Sequence, residues 1–484
     1  VLDNTRCLRN ALAMTRWPPT KDDIERPAYR SLAHGIAEAI RAGTLRAGER
    51  LPTHRELAWQ LDLSVQTVSR AYEELIRADL VSGEVGRGTF VLRQPQSFDD
   101  MPWSAGQARR ADLSLMTPVV LPMMHEAWQA SLHRLGDRLP DLVASALRPE
   151  EIRNRYVGLA ADWLARCGIV VGGRPVTVTN GVTPAVFSAL AVVTKPGDLI
   201  AVDPYTSHTI GPVAQHLHLG LAPVAGDERG MVPEALMEAV REAQGQITAV
   251  YLLPGGAGPQ ARVLDRDRRM ALADAAQSLG ISIIECDPLG PLHARRPPPI
   301  ASYAPERTFY ITGLSKVLSP GLRVGFLLAP EPAFEVTVNR HTSIAWMATP
   351  LVAEVAADWV GSGTAEALLV AQRTEIAARN RIARQLLPET GRGTPHGLHR
   401  WLGLPDGVGE ADFVARLADH DIAVTPGAQF AVGAQGGAIR ICLGAVGRGR
   451  LERALAKITK LLPQDDIGPP VDPVNTGPDC HGLI

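Results

Sequence analysis

The chain has 484 residues, 45% of them apolar and 21% charged, with a formal net charge of −2. That length suggests roughly two to four domains, and the composition excludes collagen-like, disulfide-dense and globally disordered classes. A near-neutral chain cannot hold nucleic acid by bulk positive charge, so any contact with DNA must be local. Only five of the 49 basic residues are lysine (Lys21, Lys195, Lys316, Lys457 and Lys460), which makes each of them worth weighing. The five cysteines are odd in number and scattered. None has the spacing of a zinc site, so they read as reduced thiols of a cytoplasmic protein that holds no metal. No run approaches a membrane span, and the first residues lack the order of a secretory signal. Residues 1–26 are expected to be an N-terminal extension, with residues 1–13 lacking any structural role.

From Pro27 to Leu92 short amphipathic stretches follow one another. Leu32, Ile36, Ala39 and Ile40 share one face of a helix over 29–42. Thr53 opens a second helix as its N-cap, with Glu56 three residues on to complete a capping box. Ser64 caps a third, VQTVSRAYEELIRADL, and Leu57, Leu61, Val68, Tyr72 and Leu75 can close a small core. Two short helices across a tight turn fit a helix-turn-helix. VSGEVGRGTFV, with Gly86 and Gly88 around Arg87, reads as a β-hairpin wing. By pattern alone a generic three-helix bundle fits equally well. Nine arginines against eight acidic groups over residues 27–93 do not decide between them.

The string LPTHRELAWQLDLSVQTVSRAYEELIRADLVSGEVGRGTFV resembles, over its whole length, the winged helix-turn-helix of GntR-family bacterial transcription factors. That resemblance implies that Arg55, Ser64, Gln66, Thr67, Arg70 and Arg87 face double-stranded operator DNA. Arg87 has the reach and charge for a minor groove, and Gln66 offers a bidentate amide to adenine. The Ser64 and Thr67 hydroxyls suit phosphates. Many relatives carry arginine where this chain has Val65, which lowers the phosphate or guanine contact expected there.

Residues 93–112 are polar and without apolar period, as expected of a linker. From Leu113 to Leu462 β-branched runs alternate with Ala/Leu/Arg-rich helical stretches: VTVTN, TPAVFSALAVV and DLIAVD, then ITAVYLL, DRRMALADAAQSLG and ISIIE. This alternation predicts a large α/β domain over 113–462 with a mostly parallel sheet. The tail 463–484, rich in Pro, Gly and Asp, is expected to be disordered.

Within this body, TVTNGVTPAV reads as strand, glycine turn and helix start. The free amides of Gly181, Val182 and Thr183 there would bind phosphate. Lys316 sits in FYITGLSKVLSPGLRVGFLLAP, in a turn between two apolar strands, with Arg323 seven residues on. A lysine at a strand end can form an imine with an aldehyde if burial or nearby cations lower its pKa. An arginine in the next segment could clamp a phosphate. An isolated Ser-Lys pair, however, reads more readily as a solvated loop.

The combination resembles the cofactor-lysine segment of fold-type I pyridoxal-phosphate enzymes, the aspartate aminotransferase class. With the GntR-like head, nearly everything from Pro27 to Leu462 is similar to the MocR regulators. The resemblance implies that Lys316 carries the internal aldimine of pyridoxal 5'-phosphate, with Ser315 alongside. It implies that Arg323 and the Gly181 to Thr183 turn hold the phosphate. AVDPYTSHTI resembles the segment that stacks an aromatic ring on the pyridine, with Tyr205 one position before Thr206, where the ring would align. Arg440 in GGAIRICLG takes the role of binding a ligand's α-carboxylate; on spacing alone, an edge-strand surface arginine fits as well.

Three departures from the family pattern stand out. AGPQ puts Gly258 where the family carries an asparagine. IIECDPLGPL puts Cys286 at the family's first aspartate and Pro288-Leu289 where a tyrosine is expected. That aspartate keeps the pyridine nitrogen protonated, which makes the ring an electron sink. Asp287 is adjacent, but neighbouring side chains on a strand face opposite ways, so it substitutes only if the strand bulges or shifts register. The expectation is a homodimeric regulator whose body senses an amino compound, or the cofactor itself, and turns over poorly. An active aminotransferase with a DNA-binding head, or a body that has lost the cofactor, are the alternatives.

Overall fold

The computed structural model describes residues 17–21, 24, 26–41, 44–45, 48–78, 80–84, 88–92, 110–136, 148–172, 174–293, 295–433 and 436–463. Residues 1–16, Gly86 and Arg87 of the expected wing, the stretch 93–109 and the tail 464–484 lie outside the described residues. The chain divides into two units, Val1–Met101 and Pro102–Ile484.

The first unit is built on α1 (Ala28–Arg41), α2 (His54–Leu61) and α3 (Val65–Arg77), followed by the antiparallel pair β1 (Val81–Glu84) and β2 (Gly88–Val91). Local chemistry sets these boundaries. Thr53 accepts a bond from the Glu56 amide at 3.3 Å while the Glu56 carboxylate accepts one from the Thr53 amide at 2.8 Å, a complete capping box. Asp62, at a left-handed φ of 53°, ends α2. Two residues later Ser64 caps α3 by accepting from the Thr67 amide at 3.0 Å. Leu32, Ile36, Leu57, Leu61, Val68, Tyr72 and Leu75 are buried together. Each such side chain contributes about 1.5–3 kcal/mol on leaving water. The Tyr72 hydroxyl, inside that core, donates to the Pro52 carbonyl at 2.8 Å.

The second unit opens on a short strand, β3 (Ala111–Asp112). Its main sheet takes β4 (Val176–Thr179), β5 (Leu199–Val202) and β6 (Gly220–Pro223). After a small hairpin, β7 (Gly226–Asp227) with β8 (Gly230–Met231), it adds β9 (Ile247–Leu252), β10 (Ser282–Cys286), β11 (Thr308–Gly313) and β12 (Gly325–Leu328). The order is β4-β12-β11-β10-β9-β5-β6, and only β12 runs antiparallel to its neighbours. All six residues of β11 are buried, as the continuous apolar runs of a sheet covered on both faces require. One face packs on α4 (Val182–Val193) and the other on helix Arg266–Leu279.

A second, antiparallel sheet orders β13 (Gly391–Arg392), β14 (His399–Gly403), β17 (Ala438–Cys442) and β16 (Thr425–Pro426). Beside it β15 (Ile422–Ala423) pairs in parallel with β3. Ala111 and Asp112, expected within the linker, are thus held in a ladder: the Ala111 amide donates to Asp421 O at 2.7 Å and the Leu113 amide to Ala423 O at 2.8 Å. A two-residue strand is too short to show a period, so nothing in the local sequence marks it. Among the described residues no helix is long and apolar enough to cross a membrane.

Candidate functional site

In the first unit α2 and α3 are locked by His54, whose ring stands edge-on to Tyr72 at 4.8 Å and whose Nδ1 lies 3.1 Å from Ser69 Oγ. Arg55 on α2 and Gln66 and Arg70 on α3 are exposed. The Arg70 guanidinium lies over the Tyr29 ring at 4.1 Å, so α1 pre-positions it. Ser64 and Thr67 bond each other at 2.8 Å while Ser64 caps α3. Trp59, on α2, is 85% exposed, and Val65 is 45% exposed. The sequence pattern did not single out Trp59; its position on the polar face of α2 was the available signal.

In the second unit a cavity of about 490 Å³ opens at the carboxyl ends of the sheet strands, where ligands of open α/β sheets bind. Three strand ends of the main sheet and one strand of the second sheet deliver its groups. β4 leads to Gly181, at φ 97°, which opens α4. α4 has no side-chain cap, so the amides of its first turn point outward unspent. β11 leads to Ser315 and Lys316, β12 follows Arg323, and β17 carries Arg440. A Cβ on Gly181 would stand 2.9 Å from Arg323 Nη2, so glycine makes room for this guanidinium against the helix start. Ser315 Oγ is buried there without a hydrogen-bond partner. Arg323 thus lies against Gly181, and it shares the cavity wall with Ser315, Val182 and Thr183, a cradle of guanidinium, hydroxyl and helix start.

Lys316 Nζ donates to the Met116 carbonyl at 2.6 Å. Burial, then the charges of Arg440 and Arg323, push its pKa down to about 8, against the opposing effect of Cys442. Arg440, 3% exposed, donates to Ser114 O at 2.8 Å and to Thr425 Oγ1 at 3.2 Å, and lies over the Phe430 ring at 4.6 Å. Its Nε has no partner. The cavity wall thus carries Lys316, Arg323 and Arg440 and, among the described residues, no carboxylate. Its remaining surface is largely apolar or neutral, including Leu115, Val186, Leu253 and Ala257.

Two residues expected at this site lie elsewhere. Tyr205 stands edge-on to Trp401 at 5.2 Å and bridges Ala431 through its backbone. Bonds from the Thr206 amide to Phe430 O and from the Val432 amide to Pro204 O fix that strand contact and turn the ring away from the cavity. Thr206 is buried off the wall, and the aromatic ring of this segment that reaches the cavity is His208, with Tyr251 of β9 also on the wall. Burial, with Arg440 and Lys316 nearby, pushes His208 down to about 3, so its imidazole is neutral. Three positions beyond Tyr205 in the same segment, it was the signal passed over.

Asp287 faces the opposite side of the sheet. β10 keeps its register through Cys286 and the Asp287 amide extends the ladder to Ile311 O at 2.8 Å, so no bulge turns the carboxylate inward. Its carboxylate pairs with Arg296 and accepts from Tyr310 Oη at 2.8 Å. The residue of β10 that reaches the cavity is Cys286. Burial pushes its thiol up to about 12, and Tyr251 lies within hydrogen-bond reach. Gly258 offers no side chain, its carbonyl accepting from His399 Nε2 at 2.9 Å.

Residues 28–91 match the family of bacterial regulatory proteins, gntR family, and residues 159–458 match aminotransferase class I and II. The chain is 28% identical over 427 residues to the HTH-type transcriptional regulator YdeF of Bacillus subtilis, covering 86% of this chain and 90% of that one. It is 26% identical over 341 residues to the HTH-type pyridoxine biosynthesis transcriptional regulator PdxR of Corynebacterium glutamicum, covering 69% and 72%. An archaeal alanine:glyoxylate aminotransferase shares the fold, with a TM-score of 0.68 at 21% identity, over 74% of this chain and 91% of that one. With its sheet order, its gntR-type head and a matched aminotransferase region spanning most of the second unit, the chain belongs to the class I and II aminotransferase family and is a transcriptional regulator of the MocR type.

Proposed function

We propose that the second unit binds pyridoxal phosphate and uses it to sense an amino compound, or the cofactor's own supply, while the first unit binds operator DNA. The observation that carries this is the joint placement of Lys316 with the cradle of Gly181, Arg323 and the unpartnered Ser315 Oγ. The orphaned hydroxyl and the Cβ-free space at Gly181 fit a phosphate, and α4 adds its amides and dipole. Bound pyridoxal phosphate supplies an aldehyde that condenses with primary amines, and a ring that draws electrons while its nitrogen is protonated. Lys316 offers an amine that is substantially neutral near pH 8. Arg440 offers Nε to a carboxylate, and His208 presents a neutral ring to the cavity.

The ring end fits less well. Cys286 is a neutral thiol and Asp287 lies behind the sheet, so no carboxylate on the wall favours a proton on a pyridine nitrogen. This supports binding over turnover. The name of the regulator PdxR, which ties it to pyridoxine biosynthesis, is consistent with the cofactor itself as the signal. In the same reading the chain acts in the cytoplasm as a homodimer on two half-sites. Arg55, Ser64, Gln66, Thr67, Arg70 and Arg87 contact the DNA.

Visible absorbance of purified protein with added pyridoxal phosphate tests the reading. Once unbound cofactor is removed, wild type should retain a protein-bound visible band, and Lys316→Ala should not. A wild-type protein that is colourless after incubation at saturating cofactor and removal of the unbound excess would reject it. Rapid multiple turnover with an amino donor and a keto acid would favour an enzyme over a sensor.

A further inference from the structure

The segment 111–117 lines the cavity with Ser114 to Thr117 and is tied to two of its cations. Lys316 Nζ donates to Met116 O at 2.6 Å, and Arg440 Nη2 to Ser114 O at 2.8 Å. Ser114 O also accepts from Thr425 Oγ1 at 3.1 Å and from Cys442 Sγ at 3.4 Å. Leu113 is clasped on both sides, its amide to Ala423 O at 2.8 Å and its carbonyl from the Cys442 amide at 2.7 Å. In sequence this strap is the part of the second unit that lies nearest the boundary with the first unit, at Met101 and Pro102.

The two cations differ in what a ligand does to them. Arg440 keeps Nε without a partner, so it can take a carboxylate and still hold Ser114. Lys316 has one nitrogen for both tasks. We propose that the Lys316–Met116 hydrogen bond is a latch on the strap, which opens when a carbonyl compound condenses with Lys316 and thereby passes occupancy of the cavity to the connecting segment. The proposal rests on the pyridoxal-phosphate reading above.

The chemistry of the latch balances. A neutral Nζ attacks the aldehyde carbon, a C=N bond replaces C=O, and the oxygen leaves as water with both hydrogens of the amine. At most one hydrogen returns to that nitrogen on protonation, against the two or three of a lysine amine. In the neutral imine Met116 O loses its donor outright, and in the protonated one the single N–H is fixed in the C=N plane and no longer turns freely to it. A carbonyl left short of its partner in a half-buried place favours the strap moving towards water. A ligand that fills the cavity without condensing leaves the latch closed.

Hydrogen exchange of the full chain, read at the Ala111 and Leu113 amides, tests this. Pyridoxal phosphate should speed exchange of the strap at least threefold. Pyridoxamine phosphate, which carries an amine in place of the aldehyde, should not change it. Lys316→Ala should exchange fast without ligand and show no further response. Lys316→Arg keeps donors but cannot condense, and should stay slow in both conditions. A normal melting temperature shows that each variant is folded. Unligated Lys316→Ala exchanging as slowly as wild type would overturn the latch. So would wild type that shows the visible band with no change in the strap. Failure to see any band overturns the cofactor reading instead, and the unligated Lys316→Ala comparison still decides whether the lysine restrains the strap.

Discussion

At Lys316 the ordinary value of 10.5 falls to about 8, chiefly through burial and then Arg440. The neutral amine is the nucleophile, so below that value each pH unit removes about nine-tenths of it. The rate of pyridoxal phosphate uptake, followed by visible absorbance in stopped flow, should rise about tenfold from pH 6 to 7 and flatten above about pH 9. Gly181 makes a second single-residue test. Its φ of 97° is unfavourable for other residues, and a side chain would press on Arg323. Gly181→Val should weaken pyridoxal phosphate at least about tenfold, roughly 1.4 kcal/mol, while leaving the uptake of unphosphorylated pyridoxal little changed in the same titration. Asp287 behaves as a structural group paired with the buried Arg296. Asp287→Ala leaves that charge uncompensated, at a cost of about 3–5 kcal/mol in denaturant unfolding. The visible spectrum of the folded, cofactor-loaded variant should match wild type, because the carboxylate does not reach the cavity.

Individual elements differ in how far they could be read. Those with their own chemistry at the ends, α2 and α3, were legible because Thr53, Glu56 and Ser64 make bonds within three residues of themselves. Ser64→Ala should cost about 1 kcal/mol, measured as a lower melting temperature of the first unit. Arg55 is exposed on α2, and Arg55→Ala should weaken operator binding and reduce the salt dependence by about one counterion, read from binding isotherms over a salt series. The strands β9, β10 and β11 were legible as apolar runs because both faces of that sheet are covered. β3, β7 and β8 were not, since two residues make no pattern and their partners are distant in sequence. Tyr205 and Asp287 show the same limit inside a legible element. The segment was recognisable, but which residue of a neighbouring pair turns to the cavity depended on ladder bonds to Phe430, Val432 and Ile311.

For the whole molecule, the sequence by itself determined the two-part plan, the lysine among many arginines, and the glycine turn and arginine that meet at the cradle. These follow from caps, apolar runs and turn residues, which act over a few positions. Tertiary structure alone decided what surrounds them. It placed Cys286 on the cavity wall and Asp287 behind it, brought the rings of His208 and Tyr251 to that wall, and laid residues 114–117 along a site whose lysine lies 200 positions from Met116. Contacts at that separation leave no local period or spacing to read. They exist because a parallel sheet gathers its strand ends at one edge, where residues remote in sequence share a single small volume.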